Sequence, residues 1–175
     1  MEFSIMGYLN NLLAEDTQIV TAIVPVDSQA AANNGDWVSL KNYERCTIVL
    51  MKAAGVAGDD PVITVRQAKD VSGTDAKALN FTRIDAKVGV QTGIGTFTTV
   101  TQAAANTYTD AASAEAQGLF LIEFDAEDLD VNNGFDCIQL QVPDTGSAGS
   151  QLIAALYILR GAKFAGAAAA SAIVD

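Results

Sequence analysis

The sequence predicts an all-β chain: an antiparallel β-sandwich, jelly-roll-like, of about eight strands. An N-terminal arm or short helix precedes it and an alanine-rich C-terminal tail follows. Three observations carry this prediction. Residues 45–70 hold two β-rich runs, RCTIVLM and PVITVRQAKD, separated by AAGVAGDD. β-Branched residues at close spacing, broken by Gly and Asp, are the signature of two strands and their loop. The same grammar recurs to about residue 160 with no long helical pattern between runs, and short connections imply antiparallel pairing. The expected organisation is an arm or short helix over 1–17, one sandwich domain over 18–160, and a tail over 161–175.

Taken in order, residues 5–13 place Ile5, Leu9, Leu12 and Leu13 at helix-like spacing, which fits a short amphipathic helix or an extended arm. QIVTAIVPV, residues 18–26, reads as a strand, with Pro25 suited to an edge or a strand end. In the loop that follows, Asn34-Gly35 is a turn signal. DWVSL is a short strand carrying the single tryptophan, Trp37.

RCTIVLM places Cys46, Ile48 and Leu50 on one face and Thr47, Val49 and Met51 on the other. Both faces are largely apolar, so this strand belongs at the centre of a sheet. PVITVRQAKD points Ile63 and Val65 inward and Thr64 and Arg66 outward, which predicts one wet face. In LNFTRIDAKV the apolar positions change parity between Phe81 and Ile84. A β-bulge near Thr82-Arg83 accounts for the shift.

GVQTGIG is a glycine-spaced loop, TFTTVTQ a threonine-rich strand, and TYTDAASAEA a loop or single helical turn. GLFLIEFD, with Phe120, Ile122 and Phe124 on one face, is a second central strand. AEDLDVNNGFD is an acidic turn. FDCIQLQV turns Ile138, Leu140 and Val142 in and Gln139 and Gln141 out, and QLIAALYILR is the last strand.

Composition excludes more than it assigns. The 175 residues are 50% hydrophobic and 18% charged, which is globular. The formal net charge is −11 and there is no histidine. A phosphate backbone is repelled, so direct nucleic-acid binding is disfavoured. The commonest general base, the commonest metal ligand and every histidine-based triad are absent. Nothing here reads as a catalytic site or calls for a cofactor. The N-terminal run has Glu2, no basic region and an interruption at Asn10 and Asn11, unlike a signal peptide. No stretch is long enough for a membrane-spanning helix. Cys46 and Cys137 each lie inside a strand among Ile, Val and Leu. Two buried thiols are the plain reading. A disulfide would require neighbouring strands and an oxidising setting.

Four candidate features remain. In the acidic turn, Asp125, Asp128, Asp130 and Asn132 are oxygen ligands at the alternating spacing that can hold Ca²⁺. The EF-hand register fails, because counting from Asp128 puts Asn133 at the glycine position and Gln139 at the final glutamate. A solvated, capped turn is the plainer reading. Gly89, Gly93 and Gly95 match no nucleotide fingerprint. Trp37 is an anchor in the core or at an interface. With Tyr43 and Tyr108 it would form the aromatic surface of the rival reading, a carbohydrate-binding jelly roll. The two ends are apolar: Phe3, Met6, Leu9, Leu12 and Leu13 at one, and Phe164, Ile173 and Val174 at the other. Such ends either fold back on their own domain or lie on a neighbouring subunit.

The stretch NNGDWVSLKNYERCTIVLMKAAGVAGDDPVITVRQAKD, then ALNFTRID, then FDAEDLDVNNGFDCIQLQV, resembles small structural proteins encoded by tailed bacteriophages and prophages. The likeness runs over residues 18–160. It implies a virion protein, first of all a capsid decoration or cement protein. Such proteins sit as trimers on the outer head and brace junctions between major capsid subunits. The implied partners are the major capsid protein and further copies of this chain, with no nucleic acid and no membrane. The implied location is the capsid surface, after synthesis in the host cytoplasm. A tail, neck or head–tail connector protein is the neighbouring alternative. The family has no catalytic motif to carry over, and the alanine-rich tail departs from its pattern.

Overall fold

The computed structural model describes residues 13–58, 60–89, 95–109, 116–146, 149–163 and 171–173. A four-residue helix, α1 (Leu13–Asp16), leads into β1 (Gln18–Asp27). Two-residue strands β2 (Asn33–Asn34) and β3 (Val38–Ser39) follow, then β4 (Arg45–Lys52), β5 (Ile63–Ala68) and β6 (Lys77–Ala78). Next come β7 (Phe81–Val88), β8 (Thr98–Ala105), β9 (Thr107–Tyr108) and β10 (Gly118–Asp125). The last two are β11 (Cys137–Val142) and β12 (Leu152–Arg160).

All pairings are antiparallel. The first sheet runs β1-β12-β4-β10-β7-β8. The second runs β2-β11-β5-β6, with β3 also on β11 and β9 on β5. The sandwich is as the hydrophobic alternation predicts, but its strands divide unevenly. Six long strands form one layer; β11 and β5, with four two-residue strands, form the other.

The core lies between the layers. Cys46, Ile48 and Leu50 of β4, and Phe120, Ile122 and Phe124 of β10, meet Ile63 and Val65 of β5 and Ile138, Leu140 and Val142 of β11. Phe81 and Phe124 pack edge to face with centroids 6.1 Å apart. β4 and β10 are interior strands of the first sheet, as their apolar faces require. The parity change in β7 coincides with an irregular pairing: the register with β8 shifts between Phe81 and Arg83, with one residue intervening on β7 and three on β8. Ile84 and Ala86 thereby return to the core.

Two loops of the sequence reading are strands. Asn33–Asn34 pairs with Gln141–Val142, so Asn34-Gly35 is not a hairpin turn. Thr107–Tyr108 pairs with Ile63–Thr64, so TYTDAASAEA begins as a strand, and residues 110–115 lie outside the described set. Gly35 serves close approach instead. A Cβ there would stand 2.8 Å from the Tyr157 hydroxyl and 3.1 Å from the Leu140 carbonyl oxygen.

The two edges of the first sheet differ. β1 carries Pro25 and two register shifts, between Thr21 and Ile23 and between Ile23 and Val26. β8 carries neither charge nor proline. Cys46 and Cys137 lie on different sheets; both are buried and neither forms a disulfide. Burial pushes the Cys46 thiol far above the ordinary range, so it stays protonated.

Candidate functional site

The acidic turn folds as two short 3-10 turns, Ala126–Asp128 and Val131–Asn133. Its carboxylates are turned to separate partners. Asp125 Oδ1 takes Arg45 Nε at 2.6 Å. Asp128 Oδ2 accepts the Asp125 backbone N–H at 2.8 Å, which caps the first turn. Asp130 pairs with Lys77 and accepts from Asn133 Nδ2 at 2.8 Å. Lys77, then Asn133, hold its carboxyl below the usual range. Asn132 is exposed. The four Ca²⁺ candidates are not brought together. Among the described residues no group of three His, Cys, Asp or Glu is placed to hold a metal ion. Nearest-neighbour Asx and Asn capping explains the acidic spacing.

The aromatic candidates do not form a surface either. Tyr43 is fully buried in the core. Tyr108 is half-buried against Phe120, with centroids 6.1 Å apart. Trp37 is half-buried over the 70–74 turn, where a Cβ added to Gly73 would stand 2.6 Å from its Nε1. Gly73 has φ +82°, so the turn requires glycine on both counts. Of the three rings named for the rival carbohydrate-binding reading, Tyr43 is closed off in the core, while Trp37 and Tyr108 keep part of their surface open.

Of the terminal candidates, Phe3, Met6, Leu9, Leu12, Phe164 and Val174 lie outside the described residues. Leu13 is exposed. Near the C-terminus the chain returns to its own domain. The Ala172 carbonyl accepts the Ser39 N–H at 2.7 Å and its methyl is buried in the core cluster, while Ile173 points to solvent.

The surface that sequence reasoning undervalued is the outer face of the first sheet. Alternation forces it: with Ile48 and Leu50 turned in, Val49 and Met51 must turn out. Cross-strand register aligns Leu156 and Leu121 beside Val49, and Ala154 and Leu119 beside Met51. Ile19 of β1 sits beside Ile158. Ile19, Met51, Leu152 and Leu156 are 46%, 51%, 54% and 37% exposed. β4 is central, as its two apolar faces predict, and its outward face leaves Met51 open to water.

Farther along the same face the apolar strip gives way to ion pairs. Arg45 and Arg160 both reach Glu123 Oε1 at 2.9 Å, joining three adjacent strands. Arg83 pairs with Asp85 at 3.0 Å, and Thr99 donates to the same carboxylate at 2.6 Å. Arg83, then Thr99, hold the Asp85 carboxyl low. Arg45, Arg83, Asp85 and Glu123 line a shallow concavity of about 310 Å³ together with Leu121, Asp125 and Asp128. Its acids and bases are mutually paired, so it offers a contact surface more readily than a reactive centre.

No family model matches the chain, and no curated protein matches it. Among solved structures it is similar to the crystal structure of SPBc2 prophage-derived protein YomS, with a TM-score of 0.45 and 11% identity. That likeness covers 82% of this chain and 93% of the other. No helix among the described residues is long and apolar enough to cross a membrane.

Proposed function

We propose that the chain is a bacteriophage virion structural protein: a capsid decoration or cement protein that binds the outer head as a symmetric oligomer. The observation that carries the reading is the resemblance of residues 18–160, segment by segment, to small structural proteins of tailed phages and prophages. The architecture supports it physically. A packed sandwich is a stiff body. The broad part-apolar, part-ion-paired face has the make-up of a contact surface. The role we propose is non-catalytic: a chain without histidine lacks the commonest general base.

The test is to label the chain and image the particle. Hundreds of copies in register with the head lattice are expected, braced against the major capsid protein. Six or twelve copies at one vertex would move the assignment to a neck or connector protein. Truncation of residues 1–16 and, separately, of 161–175 should weaken particle binding in at least one variant. Thermal melting run in parallel will separate attachment from folding for the second, because Ala172 is part of the core.

A further inference from the structure

The outer face of the first sheet is apolar across four adjacent strands and nearly neutral, in a chain that is otherwise acidic. On β1, β12, β4, β10 and β7 its charged side chains are Arg45, Arg160, Arg83 and Lys87 against Asp27, Glu123, Asp125 and Asp85. Four basic residues thus face four acidic ones. The remaining six basic and seventeen acidic residues give the rest of the chain a formal −11. Identical copies repel one another through every other surface and least through this one.

We infer that this face seats a second copy of the chain, sheet against sheet, about a two-fold axis. Ile19, Val49, Met51, Leu121, Leu152 and Leu156 form the centre of the contact. A face that is neutral and apolar is compatible with itself, which is what an isologous contact demands. The paired Arg and acid side chains form its rim and neutralise one another, while Lys87, at the β7 border, lies over the Phe97 ring at 4.6 Å. Five strands about 4.8 Å apart and eight residues long present a face of about 25 Å by 25 Å. Two such faces bury roughly 1,200 Å² together, the lower end of specific interfaces. The occupant therefore has to use nearly the whole face, and a matching sheet of the same dimensions does so.

This rests on the oligomer reading above, names its surface, and sets a two-fold contact against the trimer that the resemblance implies. The test uses the isolated full-length protein, so its failure is distinguishable from failure of the virion assignment. Mass is measured by sedimentation equilibrium over a concentration series, for wild type and for the Met51→Lys/Leu156→Lys variant. Both side chains lie on the outward face of the single chain, and an unchanged far-ultraviolet circular dichroism spectrum checks that the variant keeps its fold. A dimer, or an even multiple of it, is expected for wild type, with self-association weakened roughly ten-fold or more in the variant. The second readout is peroxide oxidation of the Met51 thioether, which should slow as protein concentration rises. A trimer that buries Met51 would overturn the two-fold pairing. So would a monomer with Met51 freely oxidised. Concentration-independent protection of Met51 in a monomer would also overturn it, assigning the face to a segment of the same chain.

Discussion

Tyr157, on β12, ties the two layers together at one atom. Its buried hydroxyl accepts the Leu140 backbone N–H of β11 at 2.7 Å. The Gly35 N–H meets the Leu140 carbonyl at 2.8 Å, and Gln139 Nε2 donates to the Gly35 carbonyl at 2.7 Å. Tyr157→Phe leaves a buried N–H without its partner and should cost about 1–3 kcal/mol in urea denaturation. Gly35→Ala forces a methyl against that hydroxyl and a carbonyl; a loss of about 1–3 kcal/mol is expected. Neither role was legible in sequence. Asn34-Gly35 carries a turn signal because glycine is read through its torsional freedom, and local reading cannot see a phenol from 122 positions away. Asp130 supplies the pH dependence. Its folded pKa is depressed, first by Lys77, so its stabilising contribution is present above the unfolded carboxylate range. It is lost as pH falls below about 4 and the group protonates. Asp130→Asn should therefore lower the melting temperature at neutral pH, and the gap from wild type should close in acid.

Among elements, legibility followed the range of the forces involved. β4, β10, β11 and β12 declare themselves because each buries an alternating set of side chains. The β7 bulge was legible for the same reason: a parity change inside a hydrophobic run has few other solutions. Removing Thr82 would leave Phe81, Ile84 and Ala86 in plain alternation, all still facing the core. We expect that deletion to keep cooperative melting in calorimetry, whereas deletion of Asp85, which would turn Ala86 to water and Lys87 inward, should be far more damaging. The two-residue strands β2 and β9 were invisible because they carry no period of their own and form only where a longer strand offers backbone partners. The outer face of the first sheet was half legible. Val49, Met51 and Leu121 appear in the sequence as apolar residues at alternate positions. Alternation alone does not say which of two apolar faces the other layer covers; that layer packs on the opposite side.

For the whole molecule, charge is the governing quantity. A body of formal charge −11 resists close approach of its copies, and salt relaxes that resistance. Self-association through the neutral face should therefore strengthen between about 20 and 500 mM NaCl, measurable as a fall in the dissociation constant. An association driven by complementary charges would weaken instead. Shape matters at this scale as well. An open-ended fibre needs each sheet to extend into the next, free edge on free edge, over and over. The kinked, proline-bearing border at β1 breaks that succession after one step, whatever the opposite border does. Even at high concentration, edge-to-edge growth across that border stops at discrete pieces.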